Sequence, residues 1–73
     1  MPPVKKIISK MKNQPHGIRI EEAEKVLAAY GYIFNRQRGS HRHYLNAQGD
    51  LITLKDPLKA SYIAALLERI GEK

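Results

Sequence analysis

Three short extended segments lie between stretches of helical periodicity, and this arrangement constrains the fold more than any other feature of the chain. The segments are 32–38, 41–45 and 51–54, the last continuing to Lys55, and the first has the aromatic and β-branched start and the period of two that are typical of a strand. Gly39-Ser40 and the loop 46–49 are too short for a crossover connection, so neighbouring strands are predicted to be antiparallel. Strict alternation along the first segment predicts that one face carries Tyr32, Phe34, Arg36 and Arg38.

Amphipathic helices are predicted on both sides of these strands. Apolar residues recur at helical spacing before residue 12, between Glu21 and Tyr30, and from Lys59 or Ala60 to Ile70. Ile18-Arg19-Ile20 is predicted to be a short extended entry to the second helix. The predicted buried stripes are Val4, Ile7, Ile8 and Met11, then Ala23, Val26, Leu27 and Tyr30, then Tyr62, Ile63, Leu66, Leu67 and Ile70.

The predicted fold class is α+β, with the order α-α-β-β-β-α and a three-stranded antiparallel sheet packed on helices. After residue 20 the order is that of double-stranded-RNA-binding domains, although a shared fold does not by itself define a function. The 73 residues form a single domain, 1–73. A chain this short buries only about 60% of its unfolded surface, so the core is thin.

The composition favours a polyanionic partner. Thirteen Lys and Arg against seven Asp and Glu give a net charge of +6, which is typical of nucleic-acid-binding domains and also of some basic proteins without such a partner. There is no cysteine, which excludes a disulfide framework and a thiolate metal site. No apolar run approaches the roughly 20 residues of a membrane span, and the N-terminus lacks the apolar core of a secretory signal, so we expect no membrane association and a cytoplasmic location.

The stretch 36–44 carries the residues best suited to chemistry, with arginines, two histidines and no acid. Arginine presents a planar fork of donors that fits phosphate, and histidine takes or gives a proton near neutral pH. Together they predict a site that binds a phosphodiester and moves a proton beside it. The candidate catalytic residue is His41, and the candidate RNA-binding residues are Arg36, Arg38, Gly39, Ser40, Arg42 and His43.

Each histidine has more than one interpretation. His41 is either a general acid or base, or a turn histidine that binds backbone or phosphate passively. His43 shares its strand face and is a second acid–base partner, a metal ligand or a surface histidine, of which the last is favoured. A zinc site needs three or four ligands, and only His16 and scattered carboxylates remain, so we expect no metal and no cofactor.

The tyrosines and two lysines also have alternative roles. Tyr32 and Tyr44 can stack on bases, but their apolar neighbours favour core positions. Tyr30 and Tyr62 lie on helix stripes and are predicted in the core. Lys55 and Lys59 can contact phosphates or remain solvated.

The central motif resembles the HicA toxins of bacterial toxin–antitoxin pairs. The run 38–41 (Arg-Gly-Ser-His), followed by Tyr44, an Asn- and Gly-containing hairpin and a short apolar strand, resembles this family. Three other segments are similar, so that the resemblance covers about 4–72: Ile18-Arg19-Ile20-Glu21-Glu22, Gly31-Tyr32 and Leu58-Lys59-Ala60-Ser61-Tyr62-Ile63. Many members have an aliphatic residue in place of His43, and Pro-Gly or Gly-Gly where this chain has Ala47-Gln48-Gly49.

The resemblance implies a double-stranded-RNA-binding-domain-like fold and an endoribonuclease acting on an mRNA substrate. It implies that His41 is catalytic and that a HicB-type antitoxin protein covers the His41 face. Since RNA carries its own 2′-OH nucleophile, His41 as base or as acid, with Arg36, Arg38 or Arg42 on the phosphate, would supply a minimal set, and no metal is needed for that route. A 2′,3′-cyclic phosphate product is a hypothesis.

Other functions fit the same residues. A non-catalytic RNA-binding module needs the basic surface but no histidine chemistry. A protein-interaction domain with an acidic partner, and an inactivated toxin that acts only through its antitoxin, are the further alternatives.

Overall fold

The computed structural model describes residues 3–72, which form three α-helices, a 3₁₀ turn and one sheet. The predicted order α-α-β-β-β-α and the α+β class are confirmed, and the sheet is antiparallel with strand order β1-β2-β3. The elements are α1 (Val4–Asn13), the 3₁₀ helix (Pro15–Gly17), α2 (Ile20–Ala29), β1 (Ile33–Arg38), β2 (His41–Leu45), β3 (Leu51–Lys55) and α3 (Ala60–Arg69).

The core lies between the helices and one face of the sheet, and it follows the predicted stripes with one error. The buried apolar residues of the helices are Ile7, Ile8, Met11, Ile20, Ala23, Val26, Leu27, Ile63, Leu66 and Leu67, against which Val4, Tyr62 and Ile70 pack while partly exposed. Tyr32 and Tyr44 are buried, as predicted. Tyr30 was expected in the core but is 38% exposed, because α2 ends at Ala29 and the tyrosine hydroxyl turns to Glu72, 2.7 Å away.

Helix α2 begins at Ile20, so only Ile18 and Arg19 of the predicted extended entry are extended. No Ser, Thr, Asp or Asn caps this helix. The carboxylate of Glu22 instead accepts the backbone N–H of Arg19 at 3.0 Å, which satisfies one of the donors left free at a helix start. Lys10 of α1 lies 3.2 Å from the same carboxylate and ties the first two helices together.

Both strand connections are tight. Arg38 pairs with His41, so Gly39 and Ser40 form a two-residue turn in which Gly39 has φ +58°. A positive φ at the first central position suits the right-handed twist of a hairpin and favours glycine. In the second connection the side chain of Asn46 accepts the N–H of Asp50 at 2.8 Å, which closes the loop between β2 and β3.

A β-bulge interrupts β1. Phe34 pairs with Tyr44, but Arg36 pairs with His43, so Asn35 is an extra residue opposite β2. An extra residue reverses the side to which every later side chain points. The strict alternation predicted along this strand is therefore wrong, and the two arginines of β1 lie on the side opposite to Phe34.

The sheet consequently has a covered face and an open face. The covered face packs on the helices through Tyr44, Ile52 and Leu54, which are 1–5% exposed. Since paired residues of antiparallel strands share a face and alternate residues do not, the register defines the open face. Its residues are Ile33, Arg36, Arg38, His41, His43, Leu45, Leu51, Thr53 and Lys55.

Candidate functional site

Two rows of polar residues cross the open face from β1 to β3. In the first row Arg38 and Lys55 are the direct cross-strand partners of His41. In the second row Arg36 and Thr53 are the partners of His43. Directly opposed residues have Cβ atoms about 4.5–5.5 Å apart, so each histidine lies between two near neighbours.

The structure thus brings together His41, His43, Arg36 and Arg38, all of which were candidates from the sequence. His41 is exposed and lies at the start of β2, directly after the tight turn. His43 is half-buried, and its Nδ1 lies 2.9 Å from Thr53 Oγ1, within hydrogen-bonding distance. This contact fixes the rotation of the His43 ring.

The turn residues support the first row through their backbone. The carbonyl of Gly39 accepts the side-chain amide of Gln37 at 2.9 Å, and the carbonyl of Ser40 accepts the N–H of Asp56 at 2.8 Å. The second bond connects the turn to the end of β3. Gly39 and Ser40 are exposed beside His41, where the predicted site placed them.

Arg42 does not belong to this cluster, although the sequence analysis grouped it there. It lies on the covered face, between His41 and His43 in sequence but pointing away from both, where it bonds Glu24 of α2 at 3.2 Å. The hydroxyl of Tyr44 donates to the same carboxylate at 2.6 Å. Burial, followed by this bond to Glu24, raises the pKa of Tyr44 well above its ordinary value.

The open face is strongly electropositive because the three strands contain no acidic residue. Two nearby carboxylates are engaged elsewhere, since Glu24 bonds Arg42 and Asp50 bonds Arg69 and Tyr32, and a third, Asp56, is exposed directly after β3. Within residues 3–72, no carboxylate forms an ion pair with Arg36, Arg38 or Lys55. These three cations are available to an anionic ligand.

An apolar row adjoins the charged rows. Ile33, Leu45 and Leu51 are paired across the three strands at the end of the sheet far from the turn. Ile33 is 67% exposed and Leu51 is 43% exposed. Phe34, at the edge of the covered face, is 50% exposed and meets Tyr44 edge to face with 5.9 Å between ring centroids. The open face therefore presents charged and apolar side chains next to each other to any bound partner.

Thr53 was missed from the sequence, and Lys55 was left between two roles. The signal for both was the period of two along β3, which places them on one face two residues apart. The alternation with Ile52 and Leu54 places both on the face away from the core, but which histidine each one faces depends on the length of the loop after β2. Lys59, the other lysine considered, is exposed at the start of α3.

The described part of the chain offers no metal-binding cluster: among residues 3–72, no three His, Asp or Glu side chains are grouped to hold an ion. His16 lies in the 3₁₀ helix, which packs on α1 and α3 rather than on the sheet. No helix of this range is both long enough and apolar enough to cross a membrane.

Comparisons with protein-family models, with curated proteins and with solved structures each give no significant match. The chemistry of the open face must therefore be judged from its own geometry. A histidine between two cations can hold a phosphodiester in place and transfer a proton at one of its ester oxygens.

Proposed function

We propose that this protein is a metal-independent endoribonuclease of the HicA toxin type, which cuts mRNA in the cytoplasm with His41 as general acid or base. The observation that carries the proposal is the row Arg38–His41–Lys55, in which a histidine lies between two cations on an uncovered surface. The element order, shared with double-stranded-RNA-binding domains, and the resemblance of the 38–41 motif to HicA toxins support it.

The row can perform both parts of the reaction. Arg38 and Lys55 would contact the phosphate from either side, with Arg36 from the next row, and stabilise the negative charge that develops on phosphorus. Fixed charge of this kind is usually the largest catalytic contribution. His41 would transfer a proton at the 2′ or 5′ oxygen, which typically contributes 10²–10⁴-fold.

A protein partner is part of the proposal. A HicB-type antitoxin would cover the open face and exclude RNA from His41. The apolar row Ile33–Leu45–Leu51 beside the cations supports such a contact, since exposed apolar patches rimmed by polar groups mark interaction surfaces. An acidic segment of the partner would neutralise the adjacent arginines.

The test is incubation of end-labelled mRNA with purified protein in EDTA, in parallel with His41→Ala and His16→Ala. We expect cleavage by the wild type and by His16→Ala, and none by His41→Ala. The identically purified His41→Ala protein also controls for contaminating nucleases. Equal cleavage by all three proteins would refute the role of His41.

A second outcome would replace the proposal. If none of the proteins cleaves but all bind RNA, with an affinity that falls steeply as salt rises, the domain is a non-catalytic RNA-binding module. Binding of an acidic protein without RNA binding would instead indicate an interaction domain.

A further inference from the structure

We propose that His43 is a second catalytic residue of this site and that Thr53 is the residue that positions it. The inference rests on the proposed ribonuclease function and extends it, because cleavage through the 2′-OH requires two proton transfers. One group must take the proton from the 2′ oxygen, and another must give a proton to the departing 5′ oxygen. A single imidazole beside the phosphate serves only one of these at a time.

The spacing of the two histidines suits this division. They are separated by one residue on β2, so they share the open face at about 6–7 Å, twice the rise of a strand residue. In an in-line displacement the attacking and leaving oxygens lie on opposite sides of phosphorus. A phosphate placed between the two rows would present one of these oxygens to His41 and the other to His43.

Thr53 distinguishes His43 from a surface histidine. Its Oγ1 lies 2.9 Å from Nδ1 of His43, which leaves Nε2 without a partner among residues 3–72. Because Nδ1 is occupied, the ring is oriented and Nε2 is the nitrogen available to substrate. A hydroxyl can accept from Nδ1–H or donate to Nδ1, so it supports either the protonated or the neutral ring.

The reaction is balanced without a further reactant. One imidazole, neutral, accepts the 2′-OH proton as the 2′ oxygen bonds phosphorus. The other, protonated, donates its proton to the 5′ oxygen as the bond between phosphorus and that oxygen breaks. The products are a 2′,3′-cyclic phosphate end and a 5′-hydroxyl end. The two imidazoles have then exchanged protonation states, and proton exchange with water restores them.

The charged groups around the pair are three cations and one carboxylate, that of Asp56. Arg36 and Arg38 face the histidines from β1, and Lys55 faces His41 from β3, while the helices pack on the other side of the sheet. Asp56 follows β3 immediately, with its backbone bonded to the turn. A pH profile of cleavage reports all the groups at the site together, so variants of each histidine are needed to assign its limbs.

The experiment measures cleavage of a short RNA across pH, in EDTA, for the wild type, His41→Ala, His43→Asn, Thr53→Val and Thr53→Ser. Asparagine can still form a hydrogen bond to Thr53, but it cannot act as an acid or base near neutral pH. We expect a bell-shaped profile for the wild type. For His43→Asn we expect a rate lower by about 10²–10⁴-fold and the loss of one limb of the profile.

Thr53→Val removes the hydroxyl with little change in shape, and we expect kcat to fall about tenfold with an unchanged KM. Thr53→Ser should restore the rate. Nitrogen-15 spectra of the imidazoles should show one preferred state of the His43 ring in the wild type and in Thr53→Ser, and averaging in Thr53→Val. The spectra report which ring nitrogens carry a proton in the absence of substrate, so a role of Thr53 in stability alone would leave them unchanged.

Three results would overturn the inference. Loss of cleavage in His41→Ala, with an unaltered rate and both limbs retained in His43→Asn, would leave the proposed function intact and remove His43 from it. Products that end in 5′-phosphate would require activated water and exclude the two-histidine transfer. Absence of cleavage by the wild type would refute the proposed function and this inference with it.

Discussion

Tyr44→Phe is the single substitution that best tests whether the covered face supports stability and the open face supports activity. Tyr44 is only 1% exposed, and its hydroxyl donates to the carboxylate of Glu24 at 2.6 Å. Phenylalanine fills almost the same space, so the change removes this bond and leaves the packing of the core in place. We expect a less stable protein with an unchanged open face.

The expected loss follows from the partners. A hydrogen bond to a charged group contributes about 1.5–3 kcal/mol. The lower end applies here, because Glu24 retains Arg42 at 3.2 Å and its side chain is 33% exposed to screening water. We therefore expect the free energy of unfolding to fall by about 1.5 kcal/mol. At about 4–8 °C per kcal/mol for a domain of this size, Tm should fall by about 6–12 °C.

Thermal unfolding followed by circular dichroism measures this loss, and Tyr62→Phe is the matched control. Tyr62 is half-buried on α3, and its hydroxyl has no hydrogen bond within residues 3–72. The Tm of the Tyr62→Phe protein should therefore equal that of the wild type. The rate of RNA cleavage at 25 °C, per folded molecule, should be the same for both variants. An unchanged Tm in Tyr44→Phe with reduced cleavage would show that the assignment of faces is wrong.

Three further predictions concern charge, the turn and pH. For the association constant K with single-stranded RNA, Arg38→Gln should make the negative slope of log K against log salt shallower by about 0.7. Arg42→Gln should lower Tm and leave that slope unchanged. Gly39→Ala should cost about 1–2 kcal/mol by urea unfolding, since Gly39 has φ +58°, and Gly17→Ala, at a position without positive φ, serves as the control. The bond from the Arg19 N–H lowers the pKa of Glu22 in the folded protein below its ordinary 4.5. The ionised Glu22 carboxylate therefore stabilises the fold above pH 4.5, and this contribution is lost as pH falls through the lower, folded pKa. Glu22→Gln should destabilise the protein at pH 7 and much less at pH 3.

The helical and strand periodicity of apolar residues was sufficient to predict most of the fold. The stripe of α1 and the buried pair Leu66 and Leu67 of α3 follow directly from helical spacing, because a thin core leaves an apolar stripe only one surface to cover. The end of α2 was harder to predict. Tyr30 continues the apolar period one residue beyond the helix, and its hydroxyl finds a better partner at the surface.

The candidate site was only partly predictable. His41 and His43 share a face because β2 alternates regularly, and this could be deduced from their spacing alone. Arg42 was misassigned to the same cluster because a concentration of basic residues in sequence does not distinguish the two faces of a strand. The contribution of Thr53 depends on the pairing of β3 with β2, which is a long-range property of the sheet.

The bulge at Asn35 has a consequence for how this chain tolerates change. Before the bulge, Phe34 lies on the covered face beside Tyr44. After the bulge, Arg36 and Arg38 lie on the open face, and the single extra residue Asn35 causes this change of side. Regular pairing that kept Asn35 would place Asn35 opposite His43 and turn Arg36 and Arg38 towards the helices, whereas deletion of Asn35 would leave Arg36 opposite His43 and both arginines on the open face. In a set of related sequences, the spacing of the basic residues from the Gly-Ser turn would therefore indicate which members can present the cationic rows. The identity of the intervening residues would indicate it less well.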